Sequence, residues 1–287
     1  MSATVAGAHA APRPLLGMRT IEAHRMGEGL FLAKLNPSSL GWALDPFLQV
    51  DRFRMRLPFF PPHPHAGFSA VTFMLPQSPG GLINRDSLGS RHPINPGDLH
   101  WTEAARGIVH EEVPQVDGAD CLGLQIFVNL PSQHKLAEPA IHHVARGDVP
   151  VVELAGATVH CYVGDLGRVK AALTTRTASA LWTVELKENA VVNLPLPPSW
   201  MVHMLVTAGA IRIGDALLEQ GGVAGYAAGT ALEIQAATDG ASLVVLAGLP
   251  LAEPIAVSGP FVMNDAAQLV DAKRRYARGE MGYLAAS

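Results

Sequence analysis

The chain is poor in charge and in cysteine, and each shortage removes a class of protein. Its 21 Lys and Arg are scattered among 287 residues and are outnumbered by 25 Asp and Glu, for a net charge of −4. No basic stripe is available to neutralise a phosphate backbone, so direct nucleic-acid binding is disfavoured. The two cysteines, Cys121 and Cys161, sit in the apolar runs "ADCLGLQIF" and "TVHCYVG". They read as buried thiols in a reducing compartment, and nothing asks for a disulfide. The opening stretch "MSATVAGAHAAPRPLLGM" lacks a basic segment followed by a continuous apolar one, and it is too short in apolar residues to span a bilayer. The expectation is a frayed N-terminus on a cytoplasmic protein with no membrane association. No G-x-S-x-G is present to start a serine hydrolase, and the glycine-rich turns lack the Gly-Lys-Ser of a phosphate cradle.

What the chain does have is apolar bulk and turn residues. Apolar residues make up 48%, enough for a sizeable core, and 28 glycines and 22 prolines are spread without a period. That combination suits many short strands joined by tight turns, an all-β protein. "GLFLAKL", "AVTFML" and "CLGLQIFVNL" have strand character; the last alternates Leu122, Leu124, Ile126 and Val128 against Gly123, Gln125, Phe127 and Asn129. A second series includes "LWTVELK", "MVHMLVTAGAIRIGD", "ALEIQAA" and "SLVVLAGLPL". The pattern predicts one small antiparallel β-barrel or sandwich built twice, over residues 19–145 and 150–260, with the polar stretch "HHVARGDVP" as linker. Residues 1–18 are expected to be flexible. Residues 261–287 carry a short helix in "NDAAQLVDAKRRYARGEMG", capped by Asn264 or Asp265, which docks an apolar stripe drawn from Ala267, Leu269 or Val270 and Tyr276.

Two segments could carry chemistry. In "FFPPHPHAGF", His63 and His65 are two residues apart, so an extended strand aims both rings to one side; Pro64 between them lacks a donor and places the strand at an edge. In "ARGIVHEEVP", His110 and Glu112 repeat that spacing. If both segments line one barrel, three imidazoles and a carboxylate converge, a set suited to one divalent transition metal with open positions. Iron(II), manganese, nickel and copper fit this chemistry, and zinc also fits, though four protein ligands favour a closed structural zinc site. His100, in "NPGDLHW", is a pocket residue or an alternative ligand. Glu111 is expected to be solvated, and His142 and His143 to be surface residues. His160 and His203 are isolated, and the second unit has no HxH or HxE pair, so only the first unit is expected to hold a metal.

The motifs "LDPFLQVDRF", "HPHAGF", "RDSLG", "PGDLHWTEAARGIVHEE", "GLQIFVNLP" and "GLPLAEPIAVSGPFVMN" together resemble the pirins, two-domain members of the cupin superfamily. The resemblance implies two cupin-type barrels face to face with a C-terminal helical segment. It implies a metal, usually iron, held in the N-terminal barrel by His63, His65, His110 and Glu112, with the C-terminal barrel metal-free. Departures lie around this set: pirins usually have Arg and Glu where this chain has Ala66 and Ser69, an amide where it has His100, and His where it has Asn84. The resemblance implies a quercetinase-type dioxygenase (quercetin 2,3-dioxygenase, flavonol 2,4-dioxygenase) acting on a small flavonol-like or enolic aromatic with dioxygen, in which Glu112 would be ligand, base or both. The alternative it implies is a non-enzymatic, redox-sensitive regulator that binds a protein partner.

Overall fold

A computed structural model describes residues 12–285. Antiparallel strands dominate, and they form two units, each with its own interior. The first unit packs a seven-stranded sheet against a four-stranded one. The large sheet runs, in spatial order, Ala140–Val144, Leu99–Glu103, Phe68–Met74, Cys121–Asn129, Phe47–Met55, Leu30–Leu35 and His24–Gly27. The small sheet runs His63–His65, Ile108–Pro114, Leu82–Asp86 and Arg91–Ile94. The HPH segment is therefore an edge strand, where the missing Pro64 donor costs no ladder bond.

The second unit is a single nine-stranded sheet. Its two longest strands, Met201–Ile213 and Glu233–Gly248, pair through bulges at Val206/Ala208 and Gly209/Ile211. Such bulges sharpen twist and bend a strand, and here they let one sheet curl around a core that includes Trp182, Val184, Met204 and Val245.

Residue alternation explains how the units join. In Ser179–Leu186 and Glu233–Gly248, Trp182, Val184, Leu243 and Val245 face the second core, while Leu181, Val244 and Leu246 point out of it. They meet Val71, Phe73, Leu124, Ile126 and Val128 from the large sheet of the first unit in one apolar layer. The two large sheets thus lie face to face, and their strands are buried on both sides.

The expected boundaries need correction at both ends. Residues 1–11 lie outside the described residues, but Leu15–Thr20, placed mostly in the expected flexible N-terminus, pairs with Gly222–Tyr226 at the edge of the second unit. Arg13 reinforces this by donating to the carbonyls of Pro197 at 2.7 Å and Leu196 at 3.2 Å. The drive is main-chain pairing of an open sheet edge, which side-chain composition does not report. Conversely, the hairpin of Ala256–Ser258 and Phe261–Met263 lies on the first unit, where Val262 N donates to Ala66 O at 3.0 Å. The supposed linker also contains a strand, Ala140–Val144, so His142 and His143 are sheet residues of intermediate burial.

The terminal helix spans Ala266–Ala277, with Asp265 as N-cap accepting from Gln268 N. Leu269 and Ala272 are its buried positions, packing with Ala66, Val109, Phe261, Met263 and Met281, whereas Val270 and Tyr276 are exposed. The hairpin beneath it is tied down by Lys135, a fully buried ammonium that donates to Gly67 O at 2.7 Å, Asn129 Oδ1 at 2.6 Å and Val262 O at 3.2 Å. Gly67 is needed here: its φ is +85°, and a Cβ would lie 1.8 Å from Val262 O. Among the described residues, no helix is long and apolar enough to cross a membrane.

Two predictions follow from buried polar groups. Lys135→Met leaves three oxygens without their donor and is expected to cost about 3 kcal/mol, a fall in Tm of roughly 5–10 °C by calorimetry. His203, buried between the units beside Phe47, is pushed down to about 4 by burial, which the main chain of Leu44 only partly offsets. Its folded value lies below that of the unfolded chain, so it costs nothing above the ordinary histidine value and destabilises the fold as pH falls from there towards 4. Between pH ~7.5 and ~4.5 the wild type should lose about 2.5 kcal/mol more than His203→Leu in urea unfolding.

Candidate metal centre

His63 and His65 sit on the edge strand of the small sheet, and its neighbour Ile108–Pro114 places His110 directly opposite His63. Register therefore brings the third ring to the other two. The ring centroids are 4.7 Å (His63 to His110), 4.8 Å (His63 to His65) and 5.0 Å (His65 to His110) apart. One donor nitrogen from each ring lies within 4.8 Å of the others.

The surroundings decide which nitrogen faces inwards. His63 Nδ1 is 2.9 Å from Pro61 O, an acceptor, so that nitrogen carries the proton. His110 Nδ1 is 3.1 Å from Asn84 Oδ1, and the amide is oriented by its own donation to Asp86 Oδ2 at 3.3 Å. Both rings are thus held with Nε2 as the free lone pair, the arrangement in which histidines bind metals. Burial lowers the proton affinity of all three. His65 is pushed down to about 3 by desolvation and the neighbouring His63, and His110 falls well below the ordinary value from desolvation and its two neighbours. His63 is lowered by burial, against the opposing bond to Pro61. Three neutral imidazoles that cannot readily share a proton are a donor set fitted to a transition-metal ion.

Glu112 lies two residues beyond His110, on the same side, but stands apart from the cluster. Thr72 Oγ1 lies 2.7 Å and 2.8 Å from its two carboxylate oxygens and 3.1 Å from Gln125 Oε1, so the single hydroxyl proton serves one of them at a time. Burial raises the Glu112 carboxyl to about 7, with Thr72 opposing. Glu111, expected in solvent, is instead buried on the opposite side and paired with Arg85, which also donates to Ala285 O at 3.0 Å. A strand covered on its outer side by an arginine and the C-terminal tail has no solvated face.

The three rings and Glu112 form part of the wall of a cavity of about 270 Å³. The remaining wall is mainly apolar, with Leu32, Phe53, Met55, Phe60 and Phe127, plus Gln125 and the charged pair of chain positions Lys34 and Asp51. His100 does not line it; its ring lies with His92 and His143. Neither Ala66 nor Ser69 lines it either. Ala66 packs under the C-terminal helix and Ser69 pairs with Glu103 in the large sheet, so these departures fall outside the cavity. Sequence reasoning missed Thr72 and noted Asn84 only as a departure from the pirin pattern; the roles of both follow from pairing. Gln125 was visible as a polar position in an alternating apolar strand.

A barrel of paired sheets with three histidines converging inside it, backed by a second barrel, is a two-domain cupin. Residues 15–128 match the family described as Pirin, and residues 181–282 match the Pirin C-terminal cupin domain. The chain is 33% identical over 246 residues to pirin of Homo sapiens, covering 84% of each. It is also 33% identical over 282 residues to a Pseudomonas aeruginosa protein provisionally named quercetin 2,3-dioxygenase, covering 93% of this chain and 97% of that one. A crystal structure of quercetin 2,3-dioxygenase from Acinetobacter baumannii superimposes with a TM-score of 0.85 at 28% identity, over 96% of this chain and all of that one. The chain belongs to the pirin family.

Removing a ring of the cluster should remove metal. His63→Ala is expected to lose one metal equivalent per chain by elemental analysis, and Asn84→Ala, which frees the His110 ring, to weaken metal retention roughly 10- to 100-fold in chelator competition.

Proposed function

We propose that the chain is a metal-dependent dioxygenase of quercetinase type, acting on a flavonol-like or enolic aromatic with dioxygen. The observation that carries this reading is the join of an apolar, aromatic-lined cavity to three neutral histidines and one buried carboxyl of raised proton affinity. The Acinetobacter and Pseudomonas relatives support it by their names and by their coverage of nearly the whole chain.

In this reading His63, His65 and His110 hold one divalent metal, with iron(II) the first expectation and nickel, manganese, copper or zinc its competitors. When bound, the ion supplies Lewis acidity that acidifies an enolic hydroxyl and open positions for small ligands. The protein supplies the rest. Phe53, Phe60 and Phe127 offer apolar surface to a planar ring system and keep water away from it. Glu112 takes the hydroxyl proton: a carboxyl near neutrality is a base whose ionised form is present and whose driving force is adequate. Thr72 stabilises the carboxylate by donating to it, and can turn its hydrogen to Gln125 once Glu112 is protonated. Glu112 lies outside the cluster of the three histidines, so to become a fourth ligand it would have to move towards them; the base role needs no such movement.

The test is oxygen uptake by the metal-loaded chain with quercetin and a panel of catechols. Glu112→Gln should lower kcat by roughly 10²- to 10⁴-fold while substrate binding persists. Bound metal with no uptake on any substrate would move the reading to a non-enzymatic regulator.

A further inference from the structure

A second group of histidines lies in the first unit, away from the cavity wall. His92 comes from Arg91–Ile94 at the edge of the small sheet, His100 from Leu99–Glu103, and His143 from Ala140–Val144 at the edge of the large sheet. His143 and His100 are direct cross-strand partners. His92 stacks on His143 across the gap between the sheets, with centroids 5.5 Å apart and rings 9° from parallel. His100 is 5.8 Å from each of them. The carboxylate of Asp98 completes the group, with Oδ2 3.6 Å from His143 Nε2.

Two features distinguish this group from a chance gathering of polar rings. His100 is fully buried, and neither of its ring nitrogens has a hydrogen-bond partner; the buried Nδ1 of His143 has none either. Leaving such atoms unpaired costs on the order of 1–3 kcal/mol each, a cost that a ligand shared by these clustered rings would offset. Asp98, in turn, is already held in place: Asn95 N donates to Oδ2 and Arg146 N to Oδ1, both at 2.9 Å. The carboxylate is oriented as a supported metal ligand would be. His92 and His143 are half-buried, which leaves a path from solvent.

We infer that His92, Asp98, His100 and His143 form a second metal site, which takes zinc(II) at the edge where the two sheets of the first barrel meet. Three imidazoles and one carboxylate match zinc's preference for four nitrogen and oxygen donors in a tetrahedron, and the supply of four protein ligands makes it a closed, structural site. The donor atoms of this group do not lie as close together as those of His63, His65 and His110, so binding requires His92 and His143 to turn out of their stack and bring their nitrogens towards the orphaned His100 ring. A bound ion would then tie the free edge of the small sheet to that of the large one. The inference does not depend on the proposed oxygenase chemistry.

The experiment separates the two sites. In a chain carrying His63→Ala and His65→Ala, titration with zinc(II) alone should saturate at one equivalent, raise Tm and, with cobalt(II) as substitute, give the visible spectrum of a tetrahedral ion. Adding His143→Ala or His100→Gln should weaken that binding roughly 100-fold. In the otherwise wild-type chain, zinc should saturate at two equivalents, and at one after His92→Ala, a half-exposed position that tests the site even where the buried variants fail to fold. Absence of zinc uptake by the doubly substituted chain, or uptake indifferent to His92, His100 and His143, would overturn the inference.

Discussion

The large sheet of the first barrel has to be buried on both faces, and most of the molecule follows from that. One face of Cys121–Asn129 gives Leu124, Ile126 and Val128 to the layer between the barrels, and the other gives Gln125 and Phe127 to the cavity. Because side chains alternate with a period of two, a slip of one residue would exchange the two sets, placing a glutamine between the barrels and three aliphatics against the histidines. Packing of the second barrel thus pins the register on which the site's composition depends. The second barrel fills its own interior with Trp182, Val184, Met204 and Val245.

The edge strand that carries His63 and His65 has a neighbour on one side only, and the hairpin Phe261–Met263 supplies restraint beyond it. Lys135 gathers Gly67 O, Asn129 Oδ1 and Val262 O around a single ammonium. Burial lowers the proton affinity of that amine to about 8, a sign of how much solvation it has given up. Gly67 lets the two backbones come close enough for one ammonium to bridge them. The C-terminal helix then covers the hairpin with Leu269 and Ala272. Residues near the chain's end are in this way structural support for a strand near its beginning.

Histidine serves three different purposes in this chain, and its surroundings set which. His63, His65 and His110 are oriented and kept neutral, with acceptors fixing two of the three tautomers. His203 stands between the barrels beside Phe47, its two ring nitrogens without a hydrogen-bond partner among the described residues. His92, His100 and His143 are brought together across two sheet edges with polar atoms unsatisfied. Desolvation is the largest influence on His65, His100 and His203. The groups differ in which other rings and acceptors the fold brings to each histidine.

From the sequence alone came the all-β class, the doubling of a small barrel, a terminal helix capped by Asn264 or Asp265, and the two i, i+2 pairs, His63 with His65 and His110 with Glu112. These are set by short-range physics: alternation with period two, turn residues, and i, i+2 spacing on a strand. Tertiary structure decided what depends on main-chain pairing between distant segments. Leu15–Thr20 crosses to the second barrel because an open edge there needs a partner, and no local pattern announces that. Glu111 is buried because Arg85 and the tail arrive over it, and Glu112 is turned to Thr72 by a hydroxyl on a different sheet. The polar stretch around His143 reads as a linker, but its strand pairs with that of His100. Spacing along a strand specifies which side a residue faces; only the fold specifies what it meets there.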